Sequence, residues 1–329
     1  MFRKTLILTL LITLFIAGCG PASAPTEMPD TVSTESPATE AVMTEAPTEA
    51  PASEAITLTD GLGREVNLAA PAQRVVSLAP SNTEILFAIG AGDQVVGRDE
   101  FSDYPAEAAS IDTVGGSMGE YSPEAIVALE PDLVLAAEIN TPELVSQLEG
   151  LGLTVYYLSN PKTIEEMYTN LEIVAQLTGH DVTDLVDSLK SRVAAVDEKI
   201  APISSRPAVF YEIDASDPAK PWSYGPGTFG DLLITRAGGF NISSEATDPY
   251  PQISLEQIIV ANPSIIILGD SMWGVTSESV LTREGWGTIA AVESNQIFPI
   301  DDNLISRPGP RLVDGLEELA KILHPGLFE

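Results

Sequence analysis

SPEAIVALEPDLVL at residues 122–135 and SLEQIIVANPSIII at residues 254–267 are two versions of one pattern, 132 positions apart. Ser122, Glu124, Ile126, Pro131 and Val134 in the first copy correspond to Ser254, Glu256, Ile258, Pro263 and Ile266 in the second. Each copy opens on a serine able to cap a helix, continues with helical apolar spacing, breaks at proline and ends in a short apolar run. A helix leading through a breaker into a short, wholly apolar strand is the unit of an α/β lobe with a buried parallel sheet. Two copies predict two pseudo-symmetric α/β lobes with a cleft between them.

Outward from the first copy, apolar runs at residues 75–78, 133–136 and 155–158 alternate with helical patterns at 84–89 and 143–148. Outward from the second, runs at 209–213, 265–268 and 297–300 alternate with helical patterns at 230–237 and 312–323. Ser81-Asn82-Thr83-Glu84 fits a capping box, Pro142 follows a threonine cap, and Gly90 and Gly150 are placed to close their helices. Between the two regions, residues 163–200 carry apolar side chains three and four apart, interrupted at Gly179. That spacing predicts a shorter helix followed by one over 181–199, about 28 Å long, enough to join the lobes as a strut. The expected organisation is a signal peptide at 1–18, a tether at 19–55, an N-terminal lobe at 56–162, an interlobe helix at 163–201 and a C-terminal lobe at 202–329.

The N-terminus explains the first two of these. Arg3 and Lys4 precede an uncharged run from Thr5 to Ile16, and Ala17-Gly18 lead into Cys19, the single cysteine of the chain. The run is too short to cross a bilayer and has the layout of a signal peptide. Gly20 to Ala55 then supplies 36 residues with six prolines, seven acids and no Lys or Arg. Such a composition buries too little apolar surface to offset chain ordering, and reads as a flexible tether.

Charge and composition narrow the function. Sixteen Lys plus Arg against 48 Asp plus Glu give a formal charge of −32, which excludes a nucleic-acid binder, because phosphate contacts need a basic surface. One cysteine excludes an internal disulfide and a Cys-rich zinc module; His180 and His324 alone cannot build a three-histidine metal site. No nucleophile elbow or phosphate-binding loop is present, so a binding protein without a resident cofactor is expected rather than an enzyme. The competing class is a secreted α/β hydrolase using cleft carboxylates; a scaffold lipoprotein would have no small-molecule affinity at all.

Open α/β sheets present ligands beyond their strand ends. Phe101, Tyr104, Tyr121, Trp222, Tyr224, Tyr250, Trp273 and Trp286 lie in polar or Gly/Pro-rich surroundings, where aromatic walls for a broad ligand would be placed. About half are expected to be anchors packed on the core. Arg307 and Arg311, in Ser306-Arg307-Pro308-Gly309-Pro310-Arg311, are held by proline and glycine, which suits either a fixed fork of donors toward a ligand or ion pairs with the abundant acids.

Five ordered segments carry a family resemblance: RVVSLAPSNTEILFAIG at 74–90, FSDYP at 101–105, SPEAIVALEPDLV at 122–134, GGFNI at 238–242 and RPGPRL at 307–312. Together they resemble the substrate-binding proteins of ABC importers for corrinoids and ferric chelates. The resemblance implies a class III periplasmic-binding-protein fold, with two lobes joined by one long helix, that hands a metal chelate to a membrane permease. It implies that Glu124 and Glu256 dock on permease arginines, an assignment the repeat supports by placing an acid early in one helix of each lobe. It implies vitamin B12 as the ligand, with Phe101, Trp222, Tyr250 and Arg307 as contacts; Met118 and Ala137 stand where cobalamin binders can carry tryptophan, and a ferric siderophore or haem is the alternative. The placement of Cys19 likewise resembles a lipobox, which implies acylation and an extracytoplasmic protein anchored to the membrane.

Overall fold

The computed structural model describes residues 55–116 and 119–328. The signal peptide, Cys19, nearly all of the tether, and Met118 lie outside the described residues. The chain enters through an antiparallel pair, β1 (Ile56–Thr59) and β2 (Glu65–Leu68). A first parallel sheet follows, made of β3 (Val75–Ser77), β4 (Val95–Arg98), β5 (Leu133–Ala137) and β6 (Val155–Leu158) in the order β4-β3-β5-β6. The second contains β7 (Ala208–Glu212), β8 (Phe240–Asn241), β9 (Ile265–Leu268) and β10 (Ile297–Pro299) in the order β8-β7-β9-β10. Numbered within each sheet by chain order, both read 2-1-3-4. Val75 pairs with Leu133 in one and Val209 with Ile265 in the other, so the central registers also correspond.

The sequence repeat is therefore a repeat of structure. α2 (Pro123–Ala128) is capped by Ser122, whose hydroxyl accepts from Ala125 N, and α7 (Leu255–Ala261) by Ser254, whose hydroxyl accepts from Gln257 N. Glu130 and Asn262, 132 positions apart, both end their helices in the left-handed region at φ 46°. A proline follows each and turns the chain into a strand, because proline cannot continue the helix.

Strand alternation explains how each sheet is buried on both faces. Val75, Leu133 and Leu135 point into one apolar cluster, Val76, Val134 and Ala136 into another. In the second sheet Val209, Ile265 and Ile267 join the first cluster, whereas Phe210, Ile266 and Leu268 enter a third. Since successive residues face opposite sides, purely apolar strands mark sheets covered twice. The shared cluster runs from the first sheet through α4 (Ile164–Thr178) and α5 (Thr183–Ile200) to α11 (Leu312–Leu323) of the second. The connecting segment is thus a helix pair, broken at Gly179, whose φ of 77° suits glycine. α4 packs on α1 (Pro80–Ala88); α5 lies on α11, where Arg192 meets Asp314 and Glu317.

Two local expectations fail. α1 has no capping box: it starts at Pro80, with Ala79 at its cap and no side-chain cap bond. Proline presets the first helical φ, which draws the start ahead of Ser81 and leaves Glu84 inside the helix. Gly150 does not close α3 (Pro142–Gly150); the left-handed turn comes two residues later at Gly152, φ 86°.

Candidate functional site

The loops that leave the C-terminal ends of the two sheets carry the exposed aromatic residues other than Phe240 of β8. On the first sheet, Asp99 follows β4 and organises the next turn. Its buried carboxylate accepts from Ser102 Oγ at 3.0 Å, and its backbone carbonyl accepts from the Ser102 N–H at 3.2 Å. Burial raises its proton affinity above the usual carboxylate range, against the Ser102 hydroxyl bond and the nearby positive charge of Arg307. Thr83 Oγ1 lies 2.8 Å from both Ser102 Oγ and Ser77 Oγ, tying the turn to α1 and β3. The result presents Phe101 outward, 53% exposed. Gly116 closes against this turn: a Cβ there would stand 2.6 Å from Asp99 Oδ2 and 3.1 Å from the Tyr121 ring.

A second bracket secures the neighbouring loop. Tyr121 donates to Leu78 O at 2.7 Å, and Asn140 Nδ2 lies 3.1 Å from Leu78 O and 2.9 Å from Tyr121 Oη. Asn140 Oδ1 takes the Ala137 N–H at 2.7 Å. Ala137 itself is buried at the end of β5.

On the second sheet the wall is a ribbon of backbone pairs. Trp222 N donates to Asp214 O at 2.8 Å, Ser223 N to Pro251 O at 3.0 Å and Gly225 N to Pro249 O at 2.8 Å. Trp222 therefore bridges to Gln252, and Tyr250 falls on the adjoining segment. Three tyrosines run outward from the core, with ring centroids 4.9 Å apart between Tyr211 and Tyr224 and 6.0 Å between Tyr224 and Tyr250. Asp302 Oδ1 accepts from Tyr211 Oη at 2.7 Å and Tyr224 Oη at 3.0 Å, which fixes the two buried rings behind the exposed one. Burial, then Asp302 and Glu138 at the end of β5, push the Tyr250 hydroxyl upward, so an acid of the first sheet's loops acts on a ring of the second's.

Beneath the ribbon is a buried charge triad. Arg283 makes a bidentate pair with Glu212, at 2.6 and 2.7 Å, and stacks 4.7 Å from the Trp286 ring centroid. Asp270 Oδ2 accepts from Ala215 N at 3.2 Å, and Trp286 Nε1 donates to Pro218 O at 3.2 Å; both anchor the loop leading to Trp222. Burial and the adjoining Glu212 push the Asp270 carboxyl up to about 7.

The two sides meet through arginine. Arg307 Nη1 lies 2.9 Å from Glu84 Oε1 and 2.7 Å from Asp103 Oδ1, and its Nη2 lies 3.3 Å from Phe101 O. Arg311 reaches both Glu84 oxygens, at 2.8 and 2.6 Å, with its guanidinium 3.9 Å from the Tyr104 ring centroid. Behind them is a cavity of about 420 Å³ lined by Phe87, Pro105 and Pro310 among others.

Of the aromatic candidates, Phe101, Tyr104, Trp222, Tyr250 and Trp273 are exposed, while Tyr224 and Trp286 are core anchors. Tyr104 supports Arg311 and Tyr121 supports Leu78. Arg307 is joined to Phe101 directly; Trp222 and Tyr250 share the ribbon. Glu124 and Glu256 stand apart, exposed in the first turns of α2 and α7. Sequence reasoning missed Glu84, Glu212 and Asp270. A glutamate among buried neighbours in α1, and acids at or just past the ends of apolar strands, are the signals that mark such groups.

Comparisons with known proteins converge on one family. The pattern described as periplasmic binding protein matches residues 75–304. An uncharacterized ABC transporter substrate-binding lipoprotein of Bacillus subtilis, YvrC, is 32% identical over 279 residues, covering 83% of this chain and 87% of the relative. Vitamin B12-binding proteins of Vibrio cholerae are similar in sequence, at 30% identity over 265 residues covering 77% and 90% of the two chains. They are also similar in crystal structure, with a TM-score of 0.65 at 27% identity and coverage of 79% and 99%. The periplasmic heme-binding protein RhuT of Roseiflexus superposes with a TM-score of 0.68 at 26% identity, covering 78% and 99%. The chain therefore belongs to the periplasmic binding protein family, as a substrate-binding component of an ABC importer and not an enzyme.

Proposed function

We propose that this protein captures a corrinoid, vitamin B12, in the cleft between the lobes and delivers it to its permease. The carrying observation is the placement of Phe101, Trp222 and Tyr250: large exposed rings on loops at the ends of both sheets, each held from behind by buried polar groups. Preorganised aromatic walls give apolar contact at low entropic cost, as a broad macrocycle requires. Arg307 contributes a fixed positive centre beside Phe101. The B12-binding relatives of Vibrio cholerae support the corrinoid. A second reading, haem or a ferric siderophore, is favoured by Ala137, which offers no ring where cobalamin binders can carry tryptophan, and by the likeness to RhuT.

Glu124 and Glu256 are the proposed permease contacts. They occupy equivalent places on two equivalent helices, which suits a partner with two-fold symmetry and positive charge. The lobes are proposed to span 56–162 and 202–329 with the link at 163–201, and Cys19 to carry the lipid anchor beyond a flexible tether.

Calorimetry against cyanocobalamin, haem and a set of ferric siderophores tests the ligand. Micromolar or tighter binding of cyanocobalamin, about −8 kcal/mol or better, is expected. Tight binding of haem or a siderophore with none of cyanocobalamin would replace the corrinoid and keep the importer role.

A further inference from the structure

Glu84 is a single carboxylate, with its side chain 1% exposed, between two guanidinium groups that are each 12% exposed. Both arginines come from the segment 307–311, where Pro308 and Pro310 restrict the backbone, whereas Glu84 belongs to α1, 223 and 227 residues away in sequence. Every contact of Arg307 noted above falls on the first lobe: Glu84 on α1, then Asp103 and the Phe101 carbonyl on the loop that presents the Phe101 ring. That loop's ties through Asp99 and Ser102 stay within its own lobe, and among the described residues its one other tie across is the Tyr104 ring under the Arg311 guanidinium noted above.

We propose that Glu84 and Arg311 are positioning residues of the cleft: by seating Arg307 they fasten the loop carrying Phe101 to the opposite lobe. The bidentate Arg311 pair fixes where the Glu84 carboxylate points, and Glu84 Oε1 then receives Arg307 Nη1. Planar two-point recognition gives the direction that a lysine ammonium, a point charge, does not. With Glu84 neutral, the two guanidinium groups face each other with too little counter-charge. The partners left are Asp103, exposed on the Phe101 loop, for Arg307 and Asp301, 3.8 Å away, for Arg311. Arg307 then leaves Phe101 O, and the aromatic wall loses its register with the ring pair at Trp222 and Tyr250. The effect on ligand rests on the cleft function proposed above; the fastening of the loop does not.

The experiment separates the two. Amide hydrogen exchange is measured on the full chain and on its Glu84→Gln and Arg311→Lys variants, with cyanocobalamin calorimetry on the same samples. Exchange over residues 99–104 should accelerate about tenfold or more in both variants, while β9 and α5 keep their protection. Cyanocobalamin affinity should fall about tenfold in parallel. Arg311→Lys keeps the charge and is the gentler change, so it decides the matter should Glu84→Gln fold poorly. An unchanged rate over 99–104 in Arg311→Lys, or acceleration spread evenly over β9 and α5, overturns the proposal, because the latter is ordinary destabilisation. If the unaltered chain does not bind cyanocobalamin, the corrinoid reading fails and the exchange rates alone decide the positioning role.

Discussion

Replacing Asp270 by asparagine isolates the charge stored beneath the Trp222 ribbon. Arg283 places both terminal nitrogens on Glu212, and Asp270 lies beside that pair, feeling the guanidinium only at a distance. Burial first and the Glu212 charge second push Asp270 up to about 7 from an ordinary 3.8. The unfolded chain releases the same proton near the ordinary value. Between roughly pH 4 and pH 7 the native state therefore binds one proton more than the unfolded state, and stability falls as pH rises through that window. The slope is about 1.4 kcal/mol per pH unit, at most about 4 kcal/mol in all, and relaxation around the charged pair brings the expected figure nearer 2 kcal/mol. Asparagine keeps an acceptor for Ala215 N and removes the titration. Urea unfolding of both proteins from pH 4.5 to 8 measures the difference, in which the raised carboxyls Asp99 and Asp302 cancel. The asparagine variant should gain on the unaltered chain steadily across the window. Parallel curves would show that Asp270 is ionised throughout and that the triad carries no stored proton.

Trp222→Ala should weaken cyanocobalamin binding tenfold or more, as truncation of a central aromatic contact does, while calorimetric unfolding shifts by less than about 1 kcal/mol because the ring is half exposed. Glu124→Lys and Glu256→Lys should leave cyanocobalamin affinity within about twofold and depress uptake into vesicles containing the permease, since like charges would then meet; normal uptake in both would refute the docking assignment. Glu130→Asn should raise stability by about 0.5 to 1 kcal/mol in urea titrations, because asparagine tolerates the left-handed conformation that Asn262 already adopts at the equivalent site.

The strands were legible because a doubly covered sheet leaves an uninterrupted apolar run in the sequence: residues 155–158 and 265–268 coincide with β6 and β9. The repeat was legible because cap, break and strand recur at one offset. The start of α1 was obscured by Ser81-Asn82-Thr83-Glu84, which has cap chemistry, yet Pro80 sets the boundary and Thr83 and Glu84 bond across the structure instead. Arg307 and Arg311 stood out as cations in an acidic chain, but local sequence holds no record of which of 48 acids lies opposite. Glu84, Glu212 and Asp270 were hidden for the same reason: their partners come from tertiary packing, 227, 71 and 55 residues distant. Ring exposure was likewise undecidable for Trp286 and Trp222, which have similar surroundings in sequence and opposite fates in the fold.

The Glu84 pairing also imposes an order on synthesis. All four strands of the first sheet are complete by residue 158, long before Arg307 and Arg311 are made. Until those last residues arrive, an early-made lobe holds a carboxylate shaped for burial with nothing to neutralise it, which makes docking of α1 costly. The first lobe has all four strands of its sheet well before that charge is matched. On the positioning role proposed for Glu84, a product truncated before residue 307 should keep the Phe101 loop loose.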